Sequence, residues 1–153
     1  MEDLKTEFLF EVSEELQVPE EVSATRQDPR RLINITGGSV TGPKLQGEVL
    51  AGGNHWVRVR PDGVFELDAR LTLHTDDGHL VYTAYQGIVH APPDITLRLR
   101  QGESNIDPSA YYFRTTLTFE TGPQGYDWLN RTVAVGVGKR TSTGVTYSVY
   151  AVL

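Results

Sequence analysis

The run Val64-Phe65-Glu66-Leu67-Asp68-Ala69-Arg70-Leu71-Thr72-Leu73-His74, followed by Thr75-Asp76-Asp77-Gly78-His79, decides the fold class. Phe65, Leu67, Ala69, Leu71 and Leu73 alternate with Glu66, Asp68, Arg70, Thr72 and His74. A period of two puts the two sets on opposite faces of one β-strand. Asp76-Asp77-Gly78 reads as a three-residue turn, in which Gly78 closes a type I turn with a glycine bulge. That loop length sets the hairpin register: Thr75 pairs with His79, Thr72 with Tyr82, Arg70 with Ala84, Asp68 with Gln86 and Val64 with His90. Tyr82, Gln86 and His90 then share one surface with Asp68 and Arg70, a grouping that a two-residue turn would break.

The same period recurs outward from this hairpin. Phe8, Phe10 and Val12 alternate with Glu7, Leu9 and Glu11, and Tyr111 to Glu120 and Val145 to Val152 alternate as well. Arg60-Pro61-Asp62-Gly63-Val64 reads as a tight hairpin turn, because Pro presets the first turn angle and Gly accepts positive φ. Gly37-Gly38 and Gly52-Gly53 read as bulges or bends within strands, and Thr121 to Gly125 as a looser connection. Ser13 to Arg31, rich in Glu with Pro19 and Pro29, reads as a long acidic excursion after the first strand. Pro92 to Gln101 fits a short helix, with prolines in its first turn and Ile95 and Leu99 on one face; Ile95, Leu97 and Leu99 also fit a strand. The count is about nine to ten strands joined mostly by hairpins, in one domain over residues 1–153. A closed antiparallel β-barrel with one short helix is the expected architecture, since closure removes exposed edges.

Composition narrows the function. The chain has 153 residues, 39% hydrophobic and 22% charged, which suits one globular domain. No apolar run approaches the roughly 20 residues of a membrane span, and the acidic N-terminus lacks a secretory pattern, so a cytoplasmic location is expected. With no cysteine there is no disulfide, thiol nucleophile or thiolate metal site. The net charge of −6 and the lack of a basic stripe speak against nucleic acid. His55, His74, His79 and His90 show no paired ligand spacing, so no metal is expected. There is no Gly-x-Ser-x-Gly elbow and no dinucleotide fingerprint, and Gly136 to Thr141 lacks the upstream glycine and the hydroxyl residue of a phosphate loop. No cofactor is expected.

Several segments together are similar to one family: Ile35-Thr36-Gly37-Gly38, Gly42-Pro43-Lys44-Leu45-Gln46-Gly47, Gly52-Gly53-Asn54-His55-Trp56, and Leu67-Asp68-Ala69-Arg70 leading to Thr75-Asp76-Asp77-Gly78. Tyr112-Phe113-Arg114-Thr115, Phe119-Glu120-Thr121-Gly122 and Trp128-Leu129-Asn130-Arg131 continue it. The chain resembles, in order and over nearly its whole length, the bacterial and fungal family of domain of unknown function 3237. The resemblance implies a β-barrel, and some fungal members act as cofactor-free cyclases in natural-product pathways. The family's loop usually reads Gly-Gly-Ala-Asp-Trp, so His55 stands where the family has an acid. Either His55 is a replacement base that titrates near neutrality, or the change is a loop substitution without chemical consequence.

Alternation alone puts the Leu71 row in the core. The strand Tyr111 to Glu120, with Arg114 and Glu120 opposite Phe113, Leu117 and Phe119, and the family resemblance favour the reverse, with Asp68 and Arg70 pointing inward. On that reading the protein is a cofactor-independent cyclase, isomerase or lyase acting on a small hydroxylated or carbonyl compound inside the barrel. Asp68 or His55 would take a proton, and Arg70 or Arg114 would stabilise developing negative charge. Trp56 and Tyr82 would form walls, Gln86 and His90 would complete the polar surface, and Asn130 would orient the substrate. The alternative is a non-catalytic small-molecule-binding barrel or scaffold, in which a second copy of the chain covers the Leu row as a homodimer.

Overall fold

The structure is a computed structural model that describes residues 2–153. Ten strands follow in order: β1 (Thr6–Leu16), β2 (Glu20–Glu21), β3 (Arg30–Thr41), β4 (Gln46–Val49), β5 (Asn54–Val59), β6 (Phe65–Thr75), β7 (Leu80–His90), β8 (Tyr112–Thr121), β9 (Ala134–Arg140) and β10 (Gly144–Val152). Helix α1 (Pro93–Arg100) links β7 to β8, and short 3-10 turns occupy Pro108–Ala110 and Asp127–Arg131. The helix rather than the strand alternative holds for Pro93–Arg100. Pro stands at its start, where no backbone N–H is needed, and Leu99 is its buried residue.

All strands belong to one antiparallel sheet that closes on itself. The order runs β1-β10-β9-β8-β7-β6-β4-β3, and pairing of β1 with β3 completes the ring. β4 and β5 share one stave: β4 joins the C-terminal half of β3 to the end of β6, and β5 joins the N-terminal half of β3 to the start of β6. The closed β-barrel is therefore the observed fold.

The β6–β7 hairpin has the register that its turn chemistry implies. Thr72 pairs with Tyr82, Arg70 with Ala84 and Asp68 with Gln86. Thr75 N–H donates to His79 O at 2.8 Å, and Gly78 has φ +92°.

Three expectations need correction. The polar row of β6 faces outward: Leu67, Ala69, Leu71 and Leu73 are buried, whereas the Asp68 and Arg70 side chains are 52% and 50% exposed. An eight-strand barrel has an interior just wide enough for side chains, and the Leu row fills it. The Asp68–Arg70 ion pair, at 2.6 Å, keeps its hydration outside. Arg114 and Glu120 lie outside for the same reason, opposite buried Phe113, Leu117 and Phe119. The Leu row is thus covered within a single chain. Second, the segment after Val12 remains strand through Leu16, so Ser13 to Leu16 belong to the barrel rather than to an excursion. Third, a bulge between Phe8 and Phe10 breaks the alternation; Leu9 and Phe10 are both buried and Phe8 is exposed.

One end of the barrel is densely filled. Phe10, Val40, Leu45, Leu73, Val81 and Val149 are each almost completely buried, and Leu129 from the second 3-10 turn plugs that end. The other end is hollow.

Candidate active site in the open end of the barrel

A cavity of about 500 Å³ occupies the hollow end. Its wall is apolar, with Ile33, Val57, Phe65, Leu67, Leu99 and Phe113 among the lining side chains. Its mouth is formed by the segment after β1 (Leu16 to Pro19), the C-terminus of α1 (Leu99 to Gly102) and the β9–β10 turn (Arg140 to Gly144).

His55 is the polar side chain that this cavity shares with the barrel centre. It lies on β5 in phase with Val57 and Val59, so it points inward with them, and it is 1% exposed. Its Nε2 lies 2.6 Å from Glu14 Oε2 and 2.7 Å from Tyr85 Oη. Tyr85 Oη also lies 3.0 Å from both Glu14 carboxylate oxygens and 3.1 Å from Tyr147 Oη. Glu14, His55, Tyr85 and Tyr147 thus form one buried network drawn from four strands: β1, β5, β7 and β10. The aromatic members also meet edge to face, Tyr85 against both His55 and Tyr147.

The network orients the imidazole. When Nε2–H donates to the Glu14 carboxylate, the ring is held in the tautomer whose Nδ1 lone pair is free. Nδ1 has no protein partner, and it is not one of the fully occluded unpartnered atoms, which are Arg31 Nε, Thr83 Oγ1 and Thr115 Oγ1. Nδ1 is therefore the nitrogen available to a molecule in the cavity. Burial, with the negative charge of Glu14 acting in the same direction, holds the ionisation of Tyr85 and Tyr147 well above the usual tyrosine range. Both hydroxyls stay neutral and serve as hydrogen-bonding groups.

Local backbone features make room for Glu14. Its strand partner in β3 is Gly38, where a Cβ would sit 1.9 Å from Ser13 O. At the start of β10, a Cβ on Gly144 would sit 1.8 Å from Glu14 O. Side chains at either position would push β1 outward and carry Glu14 away from His55.

Of the residues expected at the site, the inner cavity takes His55 alone. Trp56 follows His55 on a strand and so faces the opposite way; it is 38% exposed. Trp56, Asp68, Gln86 and Arg114 come together in an open groove on the outer wall. Arg70, Tyr82, His90 and Asn130 lie elsewhere on the exterior. Arg70 is held by Asp68, His90 stacks on Tyr112, and the Asn130 amide accepts from Thr121 N–H and donates to Thr121 O, fastening the second 3-10 turn to β8. Glu14, Tyr85 and Tyr147 escaped the sequence reading. A signal was present for Glu14: it keeps the phase of Phe10 and Val12, so a carboxylate stands in an inward-facing row. Among the described residues no group of three or more His, Cys, Asp or Glu is placed to hold a metal ion, and no helix is long and apolar enough to cross a membrane.

Comparison with known proteins gives a consistent family and fold. The family described as protein of unknown function (DUF3237) matches residues 4–152. A UPF0311 protein of Rhodopseudomonas palustris is 35% identical over 150 residues, covering 98% of this chain and 97% of the relative. The crystal structure of a conserved protein of unknown function from the same organism superposes with a TM-score of 0.93 at 34% identity, covering 100% of this chain and 99% of that one. A structure described as an enzyme from Penicillium herquei shares the fold, with a TM-score of 0.75 at 21% identity over 98% of this chain and 95% of that one. This chain, with its barrel and its buried Glu14–His55 pair, belongs to the DUF3237 family.

Proposed function

We propose that the protein is an acid–base enzyme for a small organic molecule held in the open end of the barrel, with His55 as the proton-transfer group. The observation that carries this is the placement of His55: its Nε2 is tied to buried Glu14 at 2.6 Å while Nδ1 is left for a ligand in an apolar cavity. Nδ1 takes a proton from a substrate hydroxyl or an activated C–H, and the electron pair stays on the substrate oxygen or carbon. The imidazolium that forms faces the Glu14 carboxylate, which stabilises it in a low-dielectric setting. Return of the proton to a different substrate atom completes an isomerisation, and expulsion of a leaving group or attack on a double bond makes it a lyase or cyclase. Tyr85 and Tyr147 hold Glu14 and His55 in place as positioning residues.

The test uses 5-nitrobenzisoxazole, whose ring opens when a base removes its C–H proton and the electron pair cleaves the N–O bond, releasing a coloured phenolate. Wild-type protein is expected to give saturable turnover above buffer. His55→Gln, which keeps an amide N–H for Glu14 but removes the base, is expected to abolish it. Equal rates for wild type and His55→Gln would overturn the assignment and leave a non-catalytic binding barrel as the better reading.

A further inference from the structure

We propose that the mouth of the cavity is a carboxylate site, where Arg140 and Arg31 grip the head of a small organic acid whose apolar body lies along the barrel wall toward His55. This rests on the acid–base reading of the same cavity and adds the class of substrate.

Arg140 ends β9 and is turned over the barrel opening. Its backbone N–H donates to Tyr111 Oη at 3.0 Å, and its Nη1 donates to Leu99 O at 2.8 Å. Among the described residues no carboxylate lies within ion-pair distance of it. A guanidinium has five N–H donors, so most of this half-buried fork is unspent. Arg31, on β3, lines the same cavity. Its Nε lies 2.6 Å from Glu21 Oε1, yet the N–H is not directed at that oxygen, and Nε is an occluded donor without a hydrogen bond. Burial lowers the Arg140 pKa below the ordinary arginine value, and the nearby charge of Arg31 acts in the same direction.

The charge around the opening supports an anion. Arg31, Arg100 and Arg140 stand against one carboxylate there, Glu21, in a chain whose net charge is −6. Glu14, deeper in the barrel, is engaged by His55 and Tyr85. Two partly desolvated cations facing each other are unfavourable unless an anion sits between them, and a carboxylate matches the planar fork in a bidentate way. The mouth also carries Leu16, Val18 and Leu99, so a singly charged carboxylate loses less hydration on entry than a doubly charged phosphate would. A cavity of about 500 Å³ suits a molecule of drug-fragment size, with its acid at the opening and its reacting atom near Nδ1.

The experiment is calorimetric titration of the full chain with phenylbutyrate and with phenylbutyramide, its neutral counterpart. The acid is expected to bind about tenfold or more tightly than the amide, a difference that shrinks with added salt. Arg140→Met should remove most of that preference while leaving amide binding unchanged, and Arg31→Met, a second and independent variant, should reduce it. Equal affinity for acid and amide in the wild type, no measurable binding of the acid, or an unchanged preference in both variants would overturn the proposal. His55→Gln separates the two readings. Acid preference without His55-dependent ring opening of 5-nitrobenzisoxazole means that the acid–base reading fails alone, and ring opening without acid preference means that the carboxylate site fails alone.

Discussion

Tyr85→Phe removes one hydroxyl and keeps the ring, which makes it the sharpest probe of the central network. The ring is 2% exposed, and its oxygen lies 2.7 Å from His55 Nε2, 3.0 Å from both Glu14 oxygens and 3.1 Å from Tyr147 Oη. A hydrogen bond to a charged group contributes about 1.5–3 kcal/mol, and a buried polar group left without a partner costs about 1–3 kcal/mol. Glu14 would lose a donor and Tyr147 its only side-chain partner, while the phenyl ring gains little from shedding an oxygen. The expected destabilisation is therefore about 2–4 kcal/mol, a large share of the roughly 5–15 kcal/mol typical of a domain. At about 2–4 °C per kcal/mol for a chain of this size, Tm should fall by roughly 5–15 °C. Urea and thermal unfolding followed by circular dichroism measure this. Tyr82→Phe on the same strand is the control: Tyr82 is 41% exposed and outside the barrel, so its change should stay within about 0.5 kcal/mol. A Tyr85→Phe variant as stable as Tyr82→Phe would refute the view that this hydroxyl completes a buried network.

Three further outcomes follow from the same geometry. Stability should be unaffected by tyrosine ionisation below pH 10.0, where Tyr85 and Tyr147 are protonated both folded and unfolded, and should fall above it as the unfolded chain releases protons that the folded chain keeps; unfolding from pH 9 to 12 checks this, with a shallower fall in Tyr85→Phe. Asp68→Asn breaks an ion pair whose members are each about half exposed, so it should cost at most about 1 kcal/mol, whereas Leu71→Ala, 3% exposed on the same strand, should cost about 2–5 kcal/mol; urea midpoints of the two variants decide which face is core. Gly144→Ala places a methyl 1.8 Å from Glu14 O and must displace backbone, so it should lower Tm and weaken the Glu14–His55 contact; nitrogen NMR of the His55 ring reads the latter, and an unchanged spectrum would sink that link.

Much of this molecule is legible along the chain. Period-two alternation and turn chemistry lead to the barrel, and Asp76-Asp77-Gly78 leads to the observed pairing of β6 with β7, because loop length and glycine conformation are local properties. His55 was visible as the odd residue in its loop. What alternation cannot say is which of two faces is inside, since Leu71 and Asp68 are separated by the pleat whichever way the sheet curls. Closure into eight staves decided that: the interior has the width for leucines, and an aspartate and an arginine that can keep their water stay out. Closure alone also brings Glu14, His55, Tyr85 and Tyr147 together, across sequence separations as large as 133 residues between Glu14 and Tyr147. No local pattern encodes that meeting, because each of the four is a single polar residue in an otherwise inward-facing row. The sequence by itself determined strands, turns and a barrel; the ring of paired strands determined which face became a core and where a histidine and a carboxylate would share a proton.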